Sequence, residues 1–309
     1  MEEKITALKK QMCEYFVGKE SVVENLLICL LAGGHVLLED VPGVGKTTLA
    51  KTLAKSVECD FGRIQFTPDT LPGDVIGTSI YNMKTGEFTY REGSIMHQIV
   101  LADEINRTSP KTQASLLEAM EEGKVTVDGK TYALPDPFMV IATQNPVEFL
   151  GTYPLPEAQT DRFMMRLSIG YPVPEEEIRL AGNFLAGKFT DEVRSICKDE
   201  DIKKMKDEVK AVHLSEGVIQ YIQEMTDITR TEKQFVLGVS PRAMLSLIRA
   251  SQARAYLDGR DFVKPDDVKD VVINVFHHRL RLTSEATIQG GDVDRIMKEL
   301  SLKVKVPMK

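Results

Sequence analysis

Gly43, Gly45, Lys46 and Thr47 stand in one short run, Pro42-Gly-Val-Gly-Lys-Thr-Thr48, whose residue types suit a phosphate group. Glycines let successive backbone N–H groups curl around the anion, a lysine reaches its outer oxygens, and a threonine hydroxyl can ligate magnesium. Pro42 and Val44 complete the loop, and Thr48 opens the segment after it. The strict form of the pattern carries another glycine where this chain has Asp40. A short apolar run, His35-Val-Leu-Leu-Glu39, precedes the loop and reads as a buried strand. Thr48-Leu-Ala-Lys51 continues as a helix, whose N-terminal dipole favours an anion.

A second constellation closes another apolar run: Ile99-Val-Leu-Ala102 ends in Asp103-Glu104. Two carboxylates at the carboxyl edge of a sheet lie where open α/β folds bind ligands. Asp103 would hold magnesium, as Thr47 would, and Glu104 would polarise an attacking water, because phosphoryl transfer is mostly positioning and electrostatics. Taken alone, a strand ending in Asp-Glu is equally a solvated turn.

These groups need a scaffold to hold them. Further short runs rich in branched or aromatic residues occur at Phe61 to Phe66, Gln98 to Ala102, Phe138 to Thr143 and Arg166 to Tyr171, separated by helical or turn-rich stretches. Strands alternating with helices predict an α/β fold, a mainly parallel sheet covered on both faces. One helix is expected from Ser109-Pro110, with Leu116, Leu117 and Met120 as its apolar stripe. Two hairpins are expected, one turning at Asp128-Gly129 and one over Ser79 to Arg91 around Lys84-Thr-Gly86. Pro172 and Pro174 break the pattern, which places a domain boundary between 172 and 173. The remainder reads as helical, with starts at Ser215 and Ser240-Pro241 and a Val268, Val271, Val272, Val275 stripe suited to a small bundle.

With 309 residues the chain is long enough for two domains, 1–172 and 173–309. Its net charge of -7 and lack of a basic block weigh against nucleic acid as the main partner. Cys13, Cys29, Cys59 and Cys197 have no metal or disulfide spacing, which suits a reducing cytoplasm, and the five histidines show no ligand motif. The N-terminus reads as neither signal peptide nor membrane anchor.

Six segments together resemble the MoxR-type AAA+ ATPases: Glu39 to Thr47, Asp103 to Arg107, Leu116 to Glu122, Ala142 to Pro146, Leu155 to Phe163 and Val239 to Ala243. The resemblance implies a P-loop ATPase core with a hairpin inserted in its second helix, then a small all-helical lid. It also implies ATP and Mg2+ as ligands and a homo-oligomeric, hexameric ring. The output would be chaperone-like remodelling of a client protein, with a separate partner chain bearing a von Willebrand factor A domain. Asn145 looks like the sensor-1 residue that helps orient the lytic water, although Asn-Pro is also a common turn starter. Arg162 looks like an arginine finger for the neighbouring subunit; the alternative is a surface pair with Asp161 or Glu157. Arg242 resembles sensor 2, against a plain salt bridge on the lid, and Val17-Gly18 resembles the segment that packs on the adenine. The Ser79 to Arg91 hairpin would face the ring pore and the client, or be a solvated loop. Gln65 is a candidate switch on Glu104. Two rival readings are a nucleic-acid motor and a nucleotide-gated scaffold; Glu104, Asn145 and Arg162 together speak against the scaffold.

Overall fold

The computed structural model describes residues 2–146, 151–187 and 190–307. Its centre is a five-stranded parallel sheet built from β1 (Val36–Glu39), β2 (Phe61–Gln65), β5 (Ile99–Asp103), β8 (Met139–Gln144) and β9 (Met165–Leu167) in the spatial order β2-β5-β8-β1-β9. The central strands bury both faces, which is why they read as unbroken apolar runs rather than alternating ones. Val36, Leu38, Ile99, Leu101 and Ile141 face one core, and Leu37, Val100, Val140 and Ala142 face the other.

The first core is covered by α1 (Glu2–Tyr15), α2 (Glu20–Ala32) and α3 (Lys46–Ser56). The second lies under α4 (Pro72–Ile76), α5 (Pro110–Glu122) and two antiparallel hairpins, β3 (Gly77–Asn82) with β4 (Glu87–Glu92) and β6 (Lys124–Val127) with β7 (Lys130–Ala133). Asp128 (φ 49°) and Gly129 (φ 76°) are both left-handed at the β6–β7 turn, as a two-residue primed turn requires. Ser109 caps α5 by accepting the Thr112 N–H at 3.3 Å, and left-handed Gly123 ends it.

A short α6 (Glu157–Thr160) leads into β9, and α7 (Pro174–Leu185) follows. The C-terminal region holds α8 (Asp199–Ala211), α9 (Glu216–Thr231), α10 (Pro241–Leu257), α11 (Pro265–Phe276), α12 (Ser284–Ile288) and α13 (Val293–Lys303). Ser215 and Ser240 cap α9 and α10 through the N–H groups of Val218 and Ala243. The valine stripe of α11 is buried. Its apolar faces merge with those of α1 and α2 in one continuous core.

Two expectations need adjusting. Of the run from Arg166 to Tyr171 only Arg166 and Leu167 join β9, because the Asp40 carboxylate captures the N–H groups of Ile169 (2.7 Å) and Gly170 (2.9 Å) and turns the chain out of the sheet. The C-terminal region is not wholly helical: β10 (Phe235–Leu237) and β11 (Arg281–Leu282) pair antiparallel within it. Among the described residues, no helix is long and apolar enough to cross a membrane.

Candidate functional site

Parallel strands share their carboxyl ends along one edge, and the loop after β1, the end of β5 and the end of β8 meet there. A cleft of about 420 Å³ is lined by Pro42, Gly43, Gly45, Lys46 and Thr47 from the loop, Arg63 and Gln65 from β2, and Asp103, Glu104 and Asn145. Gly43 (φ 87°) and Gly45 (φ 92°) are left-handed, a conformation that other residues reach only with strain. Gly45 also faces the Phe16 ring, which an added Cβ would meet at 3.4 Å. The loop runs directly into the N-terminus of α3. An anion here meets unpaired helix N–H groups and the dipole together.

Lys46 extends into the cleft and donates from Nζ to the Asp40 carbonyl at 2.6 Å. Partial burial lowers its pKa below the ordinary lysine value, opposed by the charges of Asp40, Asp103 and Glu104. Asp40 itself is buried. Its carboxylate accepts the Ser168 hydroxyl at 2.9 Å as well as the two N–H groups that terminate β9. The departure from glycine at position 40 therefore ties the phosphate loop to the chain leaving β9.

Asp103 and Glu104 are held differently. Thr143 of β8 donates its hydroxyl to Asp103 Oδ1 at 2.6 Å and accepts the Glu104 N–H at 2.9 Å. Arg63 Nη2 lies 2.6 Å from both Asp103 Oδ2 and Gln65 Oε1. Gln65 Nε2 donates to Glu104 Oε2 at 3.1 Å, and Arg107 Nε lies 3.3 Å from the same oxygen. Glu104 takes the left-handed conformation (φ 59°), an uncommon one for a residue with a Cβ, which turns its side chain from the strand direction toward the cleft. Thr143 and Arg63 escaped the sequence reading. A strand threonine and a strand arginine carry no motif, and only pairing β2 and β8 beside β5 brings them to the carboxylates.

Adjoining this cleft, a pocket of about 210 Å³ is lined by Val17, Gly18, Gly43, Val44, Gly45, Thr48, Ile169, Gly170 and Leu180, among others. Val17 and Gly18 thus lie beside the loop, in an apolar recess suited to a flat ring. The two cavities share Gly43 and Gly45, so one elongated ligand with phosphates at one end fits both. The oxygen donors Thr47 and Asp103, both on the phosphate cleft, fit a hard divalent cation such as magnesium.

Arg162 and Arg242 are not brought to this cleft. Arg162 lies just before β9, where the Met164 N–H donates to the His35 carbonyl at 2.8 Å, at the amino-terminal edge of the sheet. The loop follows the opposite end of β1, about 13 Å of strand away. Arg162 Nε is 3.2 Å from Glu121 Oε2, and Arg242 Nη2 bonds the other oxygen of the same carboxylate. Neither of the carboxylates expected for Arg162 takes it: Asp161 pairs with Arg279 and Glu157 with Arg281.

A two-cavity P-loop cleft on a five-stranded parallel sheet, followed by a helical lid, defines an AAA+ nucleotide-binding protein. The model of the ATPase family associated with various cellular activities (AAA) matches residues 35–165, and that of the AAA lid domain matches 227–300. The chain is 52% identical to YeaC of Bacillus subtilis over 292 residues, spanning 94% of this chain and 91% of that protein. It is 42% identical to the chaperone MoxR1 of Mycobacterium tuberculosis over 279 residues, covering 87% and 74%. A solved structure from Cytophaga hutchinsonii superposes with a TM-score of 0.92 at 40% identity, covering 99% and 96%. The chain belongs to the MoxR family of AAA+ ATPases.

Proposed function

We propose that this chain hydrolyses ATP in a hexameric ring of identical copies and uses the cycle to remodel a client protein complex. The observation that carries the reading is the division of the machinery. The phosphate cleft sits at one edge of the sheet, while Arg162 and Arg242 sit together at the other, beyond reach of their own cleft. Charges built for a phosphate but turned away from it suit a head-to-tail contact, in which one copy completes the site of the next.

Within one cleft, the N–H groups of Gly43, Val44 and Gly45 cradle the phosphates. Lys46 exchanges the Asp40 carbonyl for phosphate oxygens, and Val17, Gly18 and Thr48 flank the base. Thr47 and Asp103 would hold magnesium, which would supply neutralisation of phosphate charge. Glu104 orients the lytic water once Gln65 releases its carboxylate, with Asn145 at the same water. Arg162 and Arg242 of the neighbouring copy meet the charge that develops on the terminal phosphoryl group. The boundary between core and lid falls at 172/173, and the free cysteines suit a cytoplasmic setting. The β3–β4 hairpin exposes Ile80, Tyr81, Met83 and Phe88, a surface on which a client could be gripped. A partner with a von Willebrand factor A domain would be a separate chain.

The deciding experiment mixes Arg162→Ala with Glu104→Gln. Each ring alone should be nearly inactive, since loss of such a finger costs about 10³ to 10⁵ in rate. Random exchange leaves about one interface in four intact, so hydrolysis should return toward a quarter of the wild-type rate. No recovery, with exchange confirmed by fluorescence, would reject the shared site.

A further inference from the structure

We propose that Glu121 is a positioning residue for the arginine pair: its carboxylate sets Arg162 and Arg242 side by side, so that both address the same phosphate on a neighbouring copy. The proposal rests on the shared-site reading above and adds to it a residue with no place in the phosphate cleft.

Glu121 is in the last turn of α5, Arg162 lies between α6 and β9, and Arg242 is in the first turn of α10 in the lid, so three separate segments converge on one carboxyl group. Each oxygen takes one arginine: Oε2 faces Arg162 Nε at 3.2 Å and Oε1 accepts from Arg242 Nη2. Two guanidinium groups this close repel each other, and a carboxylate between them converts that repulsion into two attractions. A guanidinium has five N–H donors, so engaging one edge leaves others for an anion. The side chains of Arg162, Glu121 and Arg242 are 28%, 37% and 44% exposed, which keeps the group open to a second copy.

The backbones beneath are fixed by a different pair. The guanidinium of Arg279, almost fully buried, pairs with Asp161 and donates to the carbonyls of Asp161 (3.0 Å), Phe163 (2.6 Å) and Met164 (3.2 Å). Asp161 also accepts the hydroxyl of Ser240, the cap of α10, at 3.0 Å. Core segment and lid helix are thus joined directly below the two arginines, and Glu121 is left to set their side chains. The adjacent Glu122 pairs instead with Lys124. Exposed ion pairs contribute little to stability, so the consequence of Glu121 lies in geometry rather than in folding.

Glu121→Gln keeps the length and removes the charge. Its melting temperature and its affinity for a non-hydrolysable ATP analogue should match wild type, while turnover should fall about tenfold, within the 10²-fold that a misplacement of about 1 Å can cost. Subunit mixing then locates the defect. Glu104→Gln should rescue Glu121→Gln, because it supplies an intact arginine pair to an intact cleft; Arg162→Ala should not, because every interface then carries a faulty pair. Unchanged or raised turnover, or rescue by Arg162→Ala, would overturn the proposal. If the Gln variant fails to fold, Glu121→Asp keeps the charge, shortens the reach and is read by the same mixing pattern. Failure of the Arg162→Ala and Glu104→Gln mixture would instead sink the shared-site reading itself.

Discussion

Replacing Asp40 with glycine restores the strict phosphate-loop pattern and should nevertheless damage the protein. The carboxylate is 5% exposed and accepts from Ser168 Oγ, Ile169 N and Gly170 N at 2.9, 2.7 and 2.9 Å. Hydrogen bonds to a charged group each contribute about 1.5 to 3 kcal/mol, and glycine adds about 0.5 to 1 kcal/mol of backbone entropy cost. Relief from burying the carboxylate and entry of water offset part of this. The expected net loss is about 3 to 5 kcal/mol, measured by urea unfolding. Ile169 and Gly170 line the recess proposed for the base, so binding of an ATP analogue should weaken about tenfold as the wall loosens. Asp40→Asn keeps one acceptor oxygen and should fall between. A glycine variant within about 1 kcal/mol of wild type, or one that binds nucleotide more tightly, would refute the tether.

Lys46→Ala removes the lysine of the phosphate loop, and calorimetry should find tight ATP binding abolished; equal affinity in both proteins would discard the loop assignment. Glu104→Gln should retain ATP and hardly hydrolyse it, whereas Gln65→Ala removes one of the two contacts on Glu104 Oε2, leaving that of Arg107, and should raise basal turnover several-fold in a magnesium-dependent phosphate-release assay. Neither DNA nor RNA should stimulate turnover; a several-fold rise that collapses with salt would favour a nucleic-acid motor. His35 titrates in the acid range. Burial lowers its pKa to about 4, and Nδ1 accepts the Val140 N–H, leaving no room for a second proton. A lowered folded pKa means that the unfolded chain binds the proton more readily. The contribution of His35, about 3 kcal/mol, is therefore complete above pH 6.5 and lost as pH falls toward 4. Unfolding free energies from pH 7 to 4 should fall less steeply in His35→Gln than in wild type, and parallel curves would contradict this.

What was legible in the sequence is local. Gly43, Gly45, Lys46 and Thr47 carry their chemistry in consecutive positions, and the caps at Ser109, Ser215 and Ser240 act within three residues. The Asp128-Gly129 turn and the doubly buried strands likewise follow from backbone preference and apolar runs. These features need no knowledge of what lies across the fold. The Thr143 bridge, the Arg63 and Gln65 contacts, and the grip of Asp40 on β9 all depend on strand order, which β2-β5-β8-β1-β9 sets through long-range pairing. Arg162 could be singled out in sequence, but its partner could not. Asp161 and Glu157 are its near neighbours along the chain, yet buried Arg279 and exposed Arg281 take them, and Glu121 arrives from another helix. Charge attracts at short range in space, and the order of residues along a chain does not encode which carboxylate the fold will bring within that range.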